Sequence, residues 1–463
     1  MTTNHSLPEA VFKAYDIRGT VPDQLNPDFA RRLGNALAQR ARTEGISTLV
    51  VGYDGRLSSP ELSQALQEGI MAAGVNTIDL GMVPTPLVYF AAYTQETGSG
   101  VAITGSHNPP NYNGFKMMMG GKTLHGADIL GLKNTMNDPA PLNGVSRGTR
   151  QTLSLIDTYI KRVTSDVKLA KPLKIAIDCG NGVGGAVAPQ LFKALGCEVT
   201  ELFCEVDGNF PNHHPDPADP DNLKDLIQHV KNSDCELGLA FDGDADRLGV
   251  VTKSGEIIWP DRQLILYAQD VLQRVPGATI IFDVKCSRYV AESIKQAGGQ
   301  PLMWQTGHSM IKAKLAETGA PLAGEMSGHT FFKERWFGFD DGLYTGARLL
   351  EILSRCDDPS AVLEALPQGI STPELKLEMQ EGEPHALIKR LQDEGKFPLS
   401  ESINTIDGVR AEYSDGFGLA RASNTTPVVV LRFEGDSTEA LERIQGEFRA
   451  ALLALKPGAT LPF

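Results

Sequence analysis

The chain has 463 residues, 41% of them apolar and 22% charged, and carries a formal net charge of −14. That length can fill more than one hydrophobic core, and the composition is that of a folded protein rather than a disordered or fibrous one. The negative balance argues against general binding to nucleic acid or an anionic membrane, both of which reward basic patches, and leaves an anionic small substrate open to a few local Arg and Lys. The first residues lack the basic-then-apolar layout of a signal peptide, and no apolar run approaches the ~18–20 residues of a membrane span. Six cysteines (Cys179, Cys197, Cys204, Cys235, Cys286, Cys356) show no CxxC spacing and lie mostly beside apolar runs. They read as reduced thiols of a cytoplasmic protein.

In chain order, one pattern recurs. A short β-branched run ends in Asp or a Gly-Asp turn and predicts a helix after it: TLVVGYDGR (48–56), KIAIDCGNG (174–182), LGLAFDGDADR (237–247) and TIIFDVKCS (279–287). Alternation with helices suits parallel βαβ units, and short, fully apolar strands suit a sheet covered on both faces. SSPELSQALQEGIMAAG reads as a helix with Ser59 as N-cap, Pro60 at the first helical position and Gly74 as its stop. The spacing predicts three α/β units near 1–152, 153–255 and 256–366. The remainder, 367–463, departs from that pattern. It has NTIDGVRAEYSD, a turn at Gly416-Phe417-Gly418, a second strand, and then an amphipathic helix with Asp436 and Glu439 at its start. This predicts a smaller α+β domain.

Five segments can carry chemistry. Thr104-Gly105-Ser106-His107-Asn108-Pro109-Pro110 follows the strand-like GVAIT. Its glycine permits a sharp turn and its prolines block a helix, so Ser106 and His107 sit at the carboxyl end of a strand, where open α/β sheets place ligands. It also reads as a plain surface turn. A Ser/His hydrolase is disfavoured, because adjacent Ser and His rarely face each other and no GxSxG elbow is present. Asp242-Gly243-Asp244-Ala245-Asp246-Arg247 sets three carboxylates at alternate positions after LGLAF. They repel unless a cation lies between them, which points to a hard divalent metal rather than a solvated acidic turn. Arg247 at loop position six excludes an EF-hand.

Gly180-Asn181-Gly182-Val183-Gly184-Gly185 satisfies GxGxxG, with Glu205 about twenty residues on. Asp178 just before it would place a carboxylate where a pyrophosphate arrives, so a tight strand-to-helix turn is the better reading. Gly324-Glu325-Met326-Ser327-Gly328-His329 is a backbone-tight loop able to grip hydroxyl groups. Arg421-Ala422-Ser423-Asn424-Thr425-Thr426 combines a guanidinium, hydroxyls and an amide suited to a phosphate dianion, or forms a capped turn with a surface Arg.

Taken together and in this order, AYDIRG (14–19), TGSHNPPNYNGFK, DCGNGVGG, FDGDADR, GEMSGH and RASNTTP resemble the α-D-phosphohexomutase superfamily, most closely its bacterial phosphomannomutase/phosphoglucomutase branch. The resemblance implies three related α/β domains with mixed sheets plus a smaller C-terminal α+β domain around a central cleft. It implies reversible interconversion of hexose 1-phosphate and 6-phosphate (mannose and glucose) through a phosphoserine and a hexose 1,6-bisphosphate, with Mg²⁺ as cofactor. Ser106 would carry the phosphoryl group and join Asp242, Asp244 and Asp246 as a metal ligand. His107, Lys116, Arg247 and His308 would be catalytic, with His308 and Lys116 as the candidate bases. Tyr15, Arg18, Lys285, His308, Glu325, Ser327, His329, Arg421, Ser423, Asn424 and Thr425 would bind substrate. The partners implied are hexose phosphates alone, to a monomer that engages neither nucleic acid nor membrane. A phosphoglucosamine mutase and a metal-dependent sugar phosphatase are the alternatives, and a nicotinamide dehydrogenase rests on GxGxxG alone.

Overall fold

Apolar runs near the N-terminus build a mixed sheet. The computed structural model describes residues 7–424 and 426–463. They fall into two units, one running to Pro260 and resuming over Ser327–Ala365, the other comprising Asp261–Met326 and Leu366–Phe463.

The first unit opens with β1 (Ile17–Thr20), α1 (Pro27–Thr43), β2 (Thr48–Tyr53), α2 (Ser59–Ala72), β3 (Asn76–Met82), α3 (Thr85–Thr94), β4 (Gly100–Ile103), β5 (Tyr112–Met119), β6 (Lys122–Thr123), α4 (Ala127–Asn137) and β7 (Arg150–Thr152). The sheet runs β1-β5-β4-β2-β3-β7, with β6 on β5. β2, β3, β4 and β7 are parallel, as the βαβ pattern predicts, but β5 runs antiparallel to both β1 and β4. The TGSHNPP segment therefore joins two neighbouring antiparallel strands. Helix α2 starts at Ser59 with Ser58 in the cap position. Ser59 is thus not the cap that its sequence context predicts; its hydroxyl donates to Asp54 Oδ1 at 2.6 Å. Helices α1 and α2 meet through glycines: a Cβ on Gly34 would stand 2.1 Å from the Leu66 carbonyl oxygen, and one on Gly69 2.1 Å from that of Arg31.

Next come α5 (Ile156–Asp166), β8 (Lys174–Asp178), α6 (Ala188–Ala194), β9 (Glu198–Leu202), α7 (Lys224–Asn232), β10 (Leu237–Phe241), β11 (Leu248–Thr252) and β12 (Ile257–Ile258). Their order is β12-β11-β10-β8-β9, parallel across β10-β8-β9 and antiparallel across β10-β11-β12. The helix predicted after LGLAFDGDADR does not form. Residues 242–247 are the turn of a hairpin, with Phe241 opposite Leu248. The reason is the run after it: Leu-Gly-Val-Val-Thr is buried at every position and extends the sheet.

The chain continues through α8 (Pro260–Arg274), β13 (Thr279–Asp283), α9 (Arg288–Gln296), β14 (Gln300–Trp304), α10 (His308–Thr318) and β15 (Leu322–Gly324). Here β13 pairs in parallel with β14 on one side and β15 on the other. β16 (Thr330–Phe332), α11 (Gly342–Leu353) and α12 (Pro359–Glu364) return to the first unit.

The C-terminal part holds β17 (Ile370–Ser371), β18 (Leu375–Glu378), α13 (Glu383–Glu394), β19 (Ser402–Asn404), β20 (Val409–Tyr413), β21 (Gly416–Ala422), β22 (Val428–Gly435) and α14 (Thr438–Leu455). The sheet β17-β22-β21-β20-β19, with β18 also on β22, is antiparallel throughout. Gly416-Phe417-Gly418, predicted as a turn, is strand. The turn is Ser414-Asp415, because Tyr413 pairs with Gly416 in a two-residue hairpin. The predicted helix α14 is capped by Ser437, whose side chain accepts from the Ala440 N–H. The architecture is three α/β domains and a smaller C-terminal α+β domain. The six cysteines are free thiols, and among the described residues no helix is long and apolar enough to cross a membrane.

Alanine usually favours a helix over glycine by ~1 kcal/mol. Gly34→Ala should do the reverse here, since its Cβ meets rigid main chain, and should cost about 1–3 kcal/mol through overpacking. A lower urea midpoint in Gly34→Ala, against a raised one for Gly131→Ala on open helix surface, checks this.

Candidate active site

The Ser106 turn is held from below. Strand β2 leads straight into Asp54, whose carboxylate accepts from the Thr104 hydroxyl at 2.8 Å and the Gly105 N–H at 3.1 Å. Ser106 itself adopts φ +49°, a left-handed conformation that non-glycine residues avoid. Its Oγ lies 3.2 Å from Asp242 Oδ2 and 3.2 Å from His107 Nδ1. Burial, together with the cations of Arg247, Arg18 and Lys116, holds the His107 imidazole well below its ordinary pKa, so it is neutral. Arg18, on β1, donates to Asn108 Oδ1 at 2.7 Å and so joins the same turn. Tyr15 is partly buried just before β1.

The hairpin turn presents Asp242, Asp244 and Asp246, each fully buried, with one carboxylate oxygen from each lying within 4.8 Å of the others. Lys116 from β5 donates to Asp244 Oδ2 at 2.7 Å and Asp246 Oδ2 at 2.5 Å. Burial opposes its charge, but the three aspartates overcome that and bind its proton more tightly than usual. Asp242 is pushed well up by burial and by repulsion from Asp246 and Asp244. Asp246 is held well down: burial opposes ionisation, and Lys116 and His329 outweigh it. Arg247 donates its N–H to Asp242 Oδ1 at 3.1 Å and brings its Nε within 3.4 Å of His329 Nε2. His329 Nδ1 in turn lies 2.8 Å from Ser327 Oγ.

This donor set fits a hard divalent cation. It is all oxygen, buried and anionic; among the described residues Asp244 Oδ1 makes no hydrogen bond, and Asp246 Oδ1 lies 3.5 Å from His329 Nε2. Buried Asp340 forms a second close group with Asp246 and His329.

The glycines of DCGNGVGG serve packing. A Cβ on Gly182 would lie 2.8 Å from the carbonyl oxygen of Gly243 in the aspartate turn. Asp178, ending β8, accepts from the Gly180 N–H at 2.9 Å and from His213 at 3.1 Å, which places a carboxylate at the mouth of that turn.

In the second unit, His308 begins α10, and the preceding Gly307 N–H donates to Glu325 Oε1 at 2.6 Å. Asp407 accepts from the Thr306 N–H at 2.9 Å and from Arg421 Nε at 3.0 Å. Asp283, ending β13, accepts from the Thr306 hydroxyl at 2.8 Å and the Met326 N–H at 3.1 Å. These two carboxylates bring the His308 turn, the Glu325 loop and Arg421 together. Lys285 donates to Glu374 at 3.0 Å and drives that carboxyl down to about 2. Ser423 Oγ lies 3.1 Å from Thr426 Oγ1, Asn424 follows it, and Thr425 lies outside the described residues.

Sequence reasoning missed several of these groups. Thr85, at the start of α3, donates its hydroxyl to Asp244 Oδ2 at 2.5 Å and its N–H to the Asp244 carbonyl at 3.1 Å. Val-Pro-Thr-Pro marks a helix start but not what it faces. Asp407 and Glu374 had no motif around them. Asp54 and Asp283 did have a signal, since each ends a β-branched run.

Family models cover most of the chain. Those for phosphoglucomutase/phosphomannomutase alpha/beta/alpha domains I, II and III match residues 9–140, 157–255 and 259–369, and that for the C-terminal domain matches 374–451. The chain is 57% identical to a phosphoglucomutase of Neisseria gonorrhoeae over 96% of its own length and 97% of that protein's. It is 53% identical to the phosphomannomutase/phosphoglucomutase of Pseudomonas aeruginosa over 99% and 98%. A crystal structure of a phosphoglucomutase/phosphomannomutase family protein from Burkholderia thailandensis, 56% identical, matches with a TM-score of 0.94 over 99% of this chain and 100% of that one. With all four domain models matched in order and near-complete relatives above half identity, the chain belongs to the phosphoglucomutase/phosphomannomutase family.

Proposed function

We propose that this chain is a mutase that interconverts the 1-phosphates and 6-phosphates of glucose and mannose, by way of a phosphoryl group on Ser106 and a hexose 1,6-bisphosphate that turns end for end between half-reactions. The observation that carries the reading is the Ser106 hydroxyl, held 3.2 Å from Asp242 among buried carboxylates that fit a hard cation. A nucleophilic oxygen against such a site has the chemistry of phosphoryl transfer. The relatives named for glucose and mannose phosphates support the substrate class.

Asp242, Asp244 and Asp246 would hold Mg²⁺, with an oxygen on Ser106 completing its ligands. Bound there, the ion supplies charge neutralisation for the phosphoryl oxygens. In one half-reaction the bond from phosphorus to Ser106 Oγ breaks as the bond to a free sugar hydroxyl forms, and the hydroxyl proton passes to a base. In the other, Ser106 Oγ bonds to the second phosphorus as that phosphorus's bond to the sugar oxygen breaks, and the sugar oxygen takes the proton back from the base. Lys116 and Arg247, beside the aspartates, offset phosphoryl charge, and His308 and Lys116 are the candidate bases. His107 stays neutral beside Ser106 Oγ. Glu325 and Ser327 bind sugar hydroxyls shared by glucose and mannose. Arg421, oriented by Asp407, holds the phosphate that is not reacting with help from Ser423, Asn424 and Thr425. Tyr15, Arg18, Lys285 and His329 complete the substrate contacts.

A coupled assay on glucose 1-phosphate, mannose 1-phosphate and glucosamine 1-phosphate, with and without a hexose 1,6-bisphosphate, tests the reading. Turnover of both hexoses, stimulated by the bisphosphate, is expected. Turnover of glucosamine phosphate alone would make the chain an amino-sugar mutase, and release of free phosphate without isomerised sugar would make it a phosphatase.

Three outcomes follow from the residue roles. Ser106→Ala should fold normally, show no phosphate on the peptide spanning the turn by mass spectrometry, and lose activity by on the order of 10³-fold or more. Chelation should stop turnover and Mg²⁺ restore it. Because Asp242 is destabilised by its neighbours, Asp242→Asn should lose activity yet raise the melting midpoint measured in chelator. Arg421→Ala should raise the KM for hexose phosphate about 10- to 150-fold, the worth of one charge-assisted hydrogen bond. Arg421→Lys should recover only part of that, because an ammonium lacks the planar fork.

A further inference from the structure

Arg56 belongs to none of the roles above. It follows Asp54-Gly55 beyond the end of β2, and only 1% of its surface is exposed. Its guanidinium donates to the carbonyl oxygens of Ser106 at 2.8 Å, Asn108 at 2.6 Å, Pro109 at 2.5 Å and Tyr112 at 3.0 Å. Its Nε donates to Asp54 Oδ2 at 3.1 Å, the same oxygen that receives the Thr104 hydroxyl and the Gly105 N–H. The Phe210 ring covers the guanidinium at 5.1 Å. A Cβ on Gly105 would stand 2.4 Å from its carbon and Nε, so the glycine before the reacting serine is where the cation lies against the main chain.

These contacts span the whole connection from Ser106 to the first residue of β5. A polar turn facing water needs no such partner for its carbonyls, and a buried arginine is retained only where its donors are matched. Four carbonyls converging on one planar fork give Ser106 its left-handed φ without help from a helix or a strand. Lysine could not replace it, since one ammonium nitrogen cannot reach two pairs of carbonyls at once.

We propose that Arg56 is a positioning residue for phosphoryl transfer: by clamping the carbonyls of the 106–112 turn it holds Ser106 Oγ toward Asp242. This rests on the reading of Ser106 as the phosphoryl carrier.

The test uses the full chain with Arg56→Gly and Arg56→Lys, checked for folding by circular dichroism and melting. With glucose 1-phosphate as substrate, kcat should fall roughly 10²-fold in Arg56→Gly, the usual cost of a reacting atom displaced by about 1 Å, while KM changes by less than about threefold. Guanidinium chloride at millimolar concentration should restore part of kcat in Arg56→Gly and none in Ser106→Ala. Amide hydrogen exchange should quicken over 105–112 and stay unchanged in the helices. A folded Arg56→Gly with kcat within about twofold of wild type, or with KM raised and kcat intact, would overturn the proposal. Should Arg56→Gly not fold, Arg56→Lys decides: folded with depressed kcat it supports positioning, and unfolded it makes Arg56 a residue of overall stability instead. Were the wild type inactive on hexose phosphates, the functional reading would fail, and retained exchange protection over 105–112 in a folded variant would separately sink the clamp.

Discussion

A carboxylate buried at the carboxyl end of a strand must find donors, because an unmatched buried charge costs several kcal/mol. Much of this protein is arranged around that requirement. Asp54 gathers Thr104, Gly105, Ser59 and Arg56; Asp178 gathers Gly180 and His213; Asp283 gathers Thr306 and Met326. In each case at least one donor comes from a loop that a neighbouring strand delivers to the same end of a sheet, and at Asp54 and Asp178 the segment after the aspartate's own strand supplies the others. Parallel strands collect loops at one edge, and the strand-end aspartate turns that proximity into fixed geometry.

Asp242 is the exception. Its donors are the Arg247 N–H and the Ser106 hydroxyl, while Asp244 and Asp246 stand beside it as like charges. Lys116 answers two of the three carboxylates and leaves the third raised. The hairpin is thus under electrostatic tension that a divalent cation would relieve, and conformational strain lies next to it: both Ser106 and Ala245 sit at positive φ.

The second unit shows a related arrangement without the tension. Glu374 answers Lys285 and Asp407 answers Arg421, so each cation suited to a phosphate is already ordered by a carboxylate. Under the proposed function, an incoming phosphate dianion would have to offer better hydrogen bonds than these.

Local pattern determined a good deal by itself. Apolar β-branched runs specified most strands, glycine and serine punctuated the helices, and alternating aspartates declared a cation site because their repulsion needs no tertiary partner to be recognised. The outcome after FDGDADR was not legible: the same Asp-Gly turn precedes a helix at Asp54 and a hairpin at Asp242, and only burial of Leu248–Thr252 within the sheet decides between them. Nor could Gly416-Phe417-Gly418 be read as strand until its pairing with β22 was known. Arg56, Thr85 and Asp407 reach across 14 to 159 positions to the groups they hold, and nothing in their own neighbourhoods marks them. Sequence periodicity reports which face of an element is buried. Which donor meets which buried acceptor depends on strand order, and that is decided by packing between segments far apart in the chain.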